Sequence, residues 1–264
     1  MTHRGVHEPD DGASWFTGER RHISTGFDDR QTAGSRRLCA AVAHHLSPDA
    51  GNILDIGCGG GEILQLALAL WPNARFVGID PEPEALARAK HRLQESRVRL
   101  ISASAETLDS AVDVEEAFDL IICHLNLALW DSPEDGLAQA AARLAPGGVL
   151  YVVDLSRPSD AELRELLSLT ESEEEREYLT VQAETSMTLE DAEQLARGVV
   201  GTCPHPLHLR VARGGLAGYS FDSAEAAELW SDPHIRDAVA ALEDSSQKTP
   251  SADPVLYWEF RRHG

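Results

Sequence analysis

Asn52-Ile-Leu-Asp-Ile-Gly-Cys-Gly-Gly-Gly-Glu62 reads as a buried strand that breaks into a glycine-rich turn and opens a helix. Ile53, Leu54 and Ile56 suit a central parallel strand covered on both faces. Gly57, Gly59, Gly60 and Gly61 remove side chains where a backbone passes close to a ligand. Ile63, Leu64, Leu66 and Leu68 then give the following helix its apolar face.

Dinucleotide sites use G-x-G-x-x-G to bring pyrophosphate to a helix N-terminus. Gly57 and Gly59 fit that spacing, but the third position holds Glu62, whose charge repels a pyrophosphate. Together with Asp55, it makes the turn a better host for a ligand carrying an ammonium or sulfonium group.

Downstream, Arg75-Phe-Val-Gly-Ile-Asp80 reads as a second strand ending in an acid, 19 positions after Gly61. The two oxygens of Asp80 suit the two hydroxyls of a ribose. Val98 to Glu106 reads as a third strand and its exit, Phe118 to His124 as a fourth, and Leu144-Ala-Pro-Gly-Gly148 as a helix stop leading into a fifth that ends at Asp154. Strands alternating with helical segments call for an α/β, doubly wound sheet.

From Ile53 to Asp154 the chain resembles the class I S-adenosylmethionine-dependent methyltransferases. That resemblance implies a Rossmann-like, mostly parallel seven-stranded sheet and S-adenosyl-L-methionine as cofactor. It places Asp55, Gly57, Cys58, Gly59 and Gly61 in the cofactor turn and Asp80 with Pro81 at the ribose. It sets Ser104, Ala105 and Glu106 at the adenine, where Ser104 replaces the family's usual carboxylate. Leu144-Ala-Pro-Gly-Gly148 is similar to a further family element.

The flanks add to this core. Residues 1–50 read as an N-terminal helical lid and lead-in helix, the helix spanning Arg36 to Leu46. Trp15, Phe16, Phe27 and Arg30 form either part of the lid or a frayed terminus, and Arg30 is the candidate to grip the cofactor's methionyl carboxylate. Residues 51–155 form the cofactor-binding core, and 156–246 a helical insertion after the fifth strand. In that insertion, Ser159 with Glu162 and Thr188 read as helix N-caps. Leu207 to Ala212 and Leu216 to Phe221 read as a hairpin turning at Gly214 and Gly215, followed by a helix capped by Asp222 or Ser223. Residues 247–264 supply a connector and a final strand from Val255 to Arg261. The insertion covers the acceptor or forms a homodimer contact.

With 44 acidic against 23 basic residues and a formal charge of −21, the chain is expected to repel nucleic acid. No stretch approaches the ~20 apolar residues of a membrane span, and Met1 to Glu8 lacks a signal-peptide core. Cys39, Cys58, Cys123 and Cys203 show no C-x-x-C pair, so reduced thiols and a cytoplasmic location are expected. Cys203, His205 and His208 match no zinc spacing, and no metal is expected.

Methyl transfer is a direct displacement that depends on alignment, and a base is useful only when the acceptor must lose a proton. His124, Asn126 and Asp154 follow the fourth and fifth strands and are the catalytic candidates. His124, which also borders the cofactor, is first because imidazole titrates near neutrality. Asn126 is read as orienting the acceptor. Asp131 is weaker, since Ser132 and Pro133 begin a helix there. The expected activity is methylation of a small-molecule acceptor. A peptide or protein acceptor and a non-catalytic cofactor-binding protein are the alternatives.

Overall fold

Period-two alternation along the strands becomes the two faces of one sheet in the computed structural model, which describes residues 35–113, 116–168, 170, 172–215, 231–238 and 254–264. The strands are β1 (Asn52–Ile56), β2 (Arg75–Asp80), β3 (Val98–Ser102), β4 (Phe118–His124), β5 (Leu144–Leu155), β6 (Leu207–Gly215) and β7 (Pro254–Arg262). They form a seven-stranded sheet in the order β3-β2-β1-β4-β5-β7-β6. β1 to β5 pair in parallel, whereas β7 runs antiparallel to both β5 and β6.

Parallel strands covered on both sides need an apolar residue at nearly every position. Ile53, Leu120, Ile122, Val149 and Val153 face one layer, formed by α1 (residues 35–46), α2 (Glu62–Leu70) and α3 (Pro83–Arg92). Leu54, Ile56, Ile121, Leu150, Val152, Trp258 and Phe260 face the other. That second layer holds α4 (Leu108–Ala111), α5 (Pro133–Ala142) and α8 (Leu189–Thr202). Between the layers' remaining elements, α6 (Asp160–Ser168) and α7 (Glu173–Thr185) pack against each other after β5.

Local signals set the helix starts. Ser132 accepts the amide of Asp135 at 3.4 Å with Pro133 in the first turn of α5. Thr188 and Asp191 cap α8 reciprocally, as Ser159 and Glu162 do at α6. The Asp119 carboxylate accepts the amides of Gly51 and Asn52 at 2.9 Å each, which fixes the start of β1 against β4.

Two expectations need correction. Gly214 and Gly215 do not turn: both lie in β6, opposite Val255 and Pro254 of β7. Pairing with a distant strand outweighs the local Gly-Gly signal, and the expected hairpin arm at Leu216 to Phe221 lies outside the described residues. Within residues 156–246, β6 completes the sheet and α8 belongs to its packing layer. Ala192, Ala196 and Val199 of α8 are fully buried, and Trp258 Nε1 donates to the Ala192 carbonyl at 3.1 Å. Leu144 is already strand, and Ala145 to Gly148 form a bulge as the register moves from Phe118–Leu144 to Leu120–Val149. The helix expected after Asp222 lies outside the described residues up to Trp230, and residues 233–238 are helical.

α6 and α7 are joined to the sheet near Ser156. Arg157 N donates to Met187 O at 2.7 Å, and Arg157 Nε to Ser186 O at 3.1 Å. From β6, Arg213 donates to Ser156 Oγ at 2.9 Å and to Glu162 at 2.7 Å.

Candidate active site

The strand order reverses between β1 and β4, and open α/β sheets bind ligands at the carboxyl ends of the strands beside such a switch. The glycine turn leaves β1 at this point and the loop from His124 to Ser132 leaves β4.

The glycines have different functions. Gly57 takes φ +67°, and a Cβ there would lie 1.9 Å from Asn126 Nδ2. Gly61, with φ +81°, would drive a Cβ to 2.6 Å from Leu93 Cδ1, so it allows α2 to approach α3. Gly59, with φ +53°, has among the described residues only a Glu62 oxygen at 4.0 Å from its would-be Cβ. Cys58 is buried, and burial with the charge of Asp55 pushes its thiol upward, so it is a wall residue and not a thiolate.

Asp80 ends β2. One of its oxygens accepts Gly59 N and the other Glu82 N, each at 2.9 Å. A carboxylate has about four acceptor sites, so both oxygens retain capacity for two ribose hydroxyls. Pro81 beside it is exposed. Asp55 is 2% exposed and its Oδ2 has no hydrogen-bond partner among the described residues. Burial, then Asp80 and Glu62, push its carboxyl well above the usual range, against the opposing charge of Arg36. A cationic donor placed there would relieve the carboxyl. Glu62 contributes less than its sequence position implied, since Arg92 pairs with it and donates to Gly60 O.

Ser104 closes on Thr107 through its own amide at 3.0 Å, leaving the serine half-buried at the end of β3. Ala105 packs against α5 at Gly136, whose would-be Cβ lies 2.8 Å from it. Glu106 accepts the amide of Ser132 at 3.2 Å and so ties this turn to the loop after β4.

The three catalytic candidates converge at the end of β4, and all are bonded to protein groups. His124 Nε2 lies 2.8 Å from Ser35 Oγ, and burial followed by the charge of Arg36 pushes its imidazole down to about 3. It is neutral at pH 7. Asn126 donates to Ile56 O at 2.6 Å and Gly57 O at 3.3 Å and accepts the Cys123 thiol at 2.8 Å. Asp154 accepts Leu127 N at 2.5 Å and Leu155 N at 2.7 Å. Burial raises its carboxyl to about 6, while those amides oppose the rise.

Between His124 and Asn126, Leu125 holds φ +53°, a left-handed conformation costing roughly 1–2 kcal/mol in a non-glycine residue. Leu125 N to Val153 O at 2.8 Å, with Asn126 and Asp154, holds it in place. Strain retained at a ligand-facing strand end is consistent with a built site. Trp130 packs over Gly136 of α5, Leu129 is the large apolar side chain exposed nearby at 49%, and Asp131 is solvated.

A family model described as a methyltransferase domain matches residues 48–199, from before β1 into α8. The chain belongs to the class I methyltransferase family. It is 36% identical over 146 residues to a trans-aconitate 2-methyltransferase of Acidovorax ebreus (strain TPSY), covering 54% of this chain and 53% of that protein. The chain thus spans about half the length of the curated relatives it matches. Among solved structures it is similar to the plantazolicin methyltransferase BamL with a triazolic desmethylPZN analog and SAH, at 25% identity and TM-score 0.82, covering 96% of this chain and 94% of that one. The plantazolicin methyltransferase BpumL with a pentazolic analog and SAH gives 25% identity and TM-score 0.80, covering 96% and 95%.

Sequence reasoning missed Ser35, Arg36 and Leu125. Nothing local marks the first two, because their role comes from α1 docking on β4. Arg30 lies outside the described residues, as do Trp15, Phe16 and Phe27. Among the described residues there is no group of three or more His, Cys, Asp or Glu side chains able to hold a metal, and no helix long and apolar enough to cross a membrane.

Proposed function

We propose that this chain transfers the methyl group of S-adenosylmethionine to a small organic acceptor at the β1–β4 switch point. The observation that carries this reading is the grouping there of a buried Asp55 whose Oδ2 is unpaired among the described residues, a ribose-type carboxylate at Asp80 and the glycine turn at Gly59.

When bound, S-adenosylmethionine supplies a methyl carbon activated by a sulfonium leaving group. Asp80 holds the ribose, and Asp55 takes the ammonium of the amino-acid end. Ser104 stands at the adenine edge as a hydroxyl acceptor. The remaining task of the protein is to align the acceptor and exclude water.

His124, Asn126 and Asp154 act in this reading as positioning residues. A histidine held near 3 is a weak base at neutral pH, Asp154 spends its oxygens on Leu127 N and Leu155 N, and Asn126 spends its amide on Ile56 O, Gly57 O and the Cys123 thiol. The arrangement suits an acceptor that presents a lone pair without an enzymic base: a carboxylate, or an amine in its neutral form. α6 and α7, tied down by Arg157 and Arg213, form the cover over it.

The trans-aconitate 2-methyltransferase match supports a small organic acid as the acceptor type. A second reading, an extended acceptor of the desmethylPZN kind, draws on the similarity to BamL over 96% of the chain. The formal charge of −21 argues against a nucleic-acid acceptor, and four free thiols fit a reducing compartment. Incubation with methyl-labelled cofactor and fractionated extract tests the proposal. A labelled product of small mass is expected, a larger labelled product moves the assignment to the second reading, and cofactor binding without any labelled product overturns transfer.

A further inference from the structure

The carboxyl end of α1 sets His44 and His45 against segment 231–238, which lies between β6 and β7 in the chain. Ile235 and Ala238 of that segment are buried in the layer that holds Val42 and Tyr257. Asp232 ties its start: one oxygen accepts His234 N at 2.8 Å, and the other accepts His45 Nδ1 at 3.2 Å. Next to this tie the His44 ring stands between two others, its centroid 5.1 Å from that of Trp71 and 5.3 Å from that of His234, both edge to face. Its Nδ1 is buried and has no hydrogen-bond partner among the described residues.

That packing suits an uncharged ring. A proton taken up by His44 makes both ring nitrogens donors, and a buried Nδ1–H without an acceptor is costly. A further proton on His234 sets two like charges 5.3 Å apart. The groups facing His44 are His45 from α1, Asp49 from the turn after it, and Asp232 and His234 from the segment. Trp71, at the end of α2, brings no charge, and Arg236 and Asp237 of the segment are exposed. Burial and then His234 lower the His44 imidazole from 6.5, Asp232 opposes them, and His45 and Asp49 follow with opposite signs. Burial raises the Asp232 carboxyl, but the His234 amide and His45 together outweigh it, so Asp232 stays ionised as the histidines titrate.

We propose that His44 and His234 form an acid-sensitive clasp, which holds segment 231–238 on α1 while both rings are neutral and releases it when both are protonated. The released His44 binds its proton more readily than the docked one, so docking weakens as pH falls through about 6.5. The clasp lies at the end of α1 opposite the Ser35–His124 contact, so release is read on the segment itself and not on cofactor binding.

Amide hydrogen exchange of the full chain at about pH 7.5 and about pH 5.5, with exchange times scaled for the intrinsic pH dependence, tests the clasp. Protection of residues 231–238 should fall by about threefold or more at the lower pH, while β1 and β4 keep theirs. His44→Phe keeps a ring against Trp71 and should abolish the fall. His234→Gln, at an exposed position, removes the second charge and should hold the fall below about twofold. An equal fall in both variants, or no fall in the unaltered chain, overturns the clasp. Should His44→Phe lose protection at both pH values, His234→Gln decides alone, and a fall as large as in the unaltered chain overturns it.

Discussion

Ser35 and His124 lie 89 positions apart in the chain and 2.8 Å apart in the fold. That contact connects the helix preceding β1 with the strand end bordering the candidate methyl-transfer site. Burial at this point, followed by the charge of Arg36, pushes the His124 imidazole down to about 3.

An unfolded histidine titrates near about 6.5, so from there down to about 3 the unfolded chain binds one more proton at this position. Stability contributed by His124 therefore falls as pH falls through that window. Asp154 has the opposite sign. Its folded value of about 6 lies above the ordinary 3.8, so between them the folded chain holds the extra proton and stability falls as pH rises. In the unaltered chain the two slopes offset each other. His124→Gln removes one, and urea unfolding should show the variant gaining stability relative to the unaltered chain as pH is lowered from about 6.5 to about 4.5. A difference independent of pH would contradict the buried neutral imidazole.

Gly57→Ala puts a Cβ into Asn126 and forces an alanine to φ +67°. The backbone cost alone is roughly 1–2 kcal/mol, and the clash adds to it. In an Asn126→Ala background the same substitution should cost less, since only the backbone part remains. Denaturant unfolding of the four proteins gives the coupling. Equal costs in both backgrounds would show that Asn126 does not occupy the space beside Gly57.

Arg213 bonds Ser156 and Glu162, and its hydrogen bond leads the causes that hold the Glu162 carboxyl down to about 2. The stability this pair contributes is present above the ordinary Glu value of 4.5 and is lost as pH falls through about 2. Because both side chains are about one third exposed, the effect on global stability is small. Arg213→Ala should instead speed native-state proteolysis within α6 and α7, leaving the unfolding midpoint of the sheet little changed. Unchanged cleavage would mean that Arg157 alone holds α6 and α7 in place.

Local patterns carried most of the core. The Ile53 to Glu62 stretch, the acid ending β2 and the caps at Ser132, Ser159 and Thr188 depend on residues a few positions apart, and they fold as read. Gly214 and Gly215 were misleading because a Gly-Gly pair carries the same local signature in a turn and in a strand. Their partners Val255 and Pro254 lie 41 and 39 positions away. Asn126 reads as an acceptor ligand because it follows a strand end. The fold turns its amide inward to Ile56 and Gly57, which no spacing along the chain reveals. Arg36 acquires its charge role only when α1 is laid on β4.

Titration calorimetry with S-adenosylmethionine and S-adenosylhomocysteine, on the unaltered chain and on Asp80→Ala, tests the central claim most directly. Both compounds should bind the unaltered chain. Asp80→Ala should lose about a hundredfold or more in affinity, since it removes the ribose acceptors together with the tie to Gly59 N. Undiminished binding to Asp80→Ala, or no binding to the unaltered chain, would contradict the site at the β1–β4 switch point.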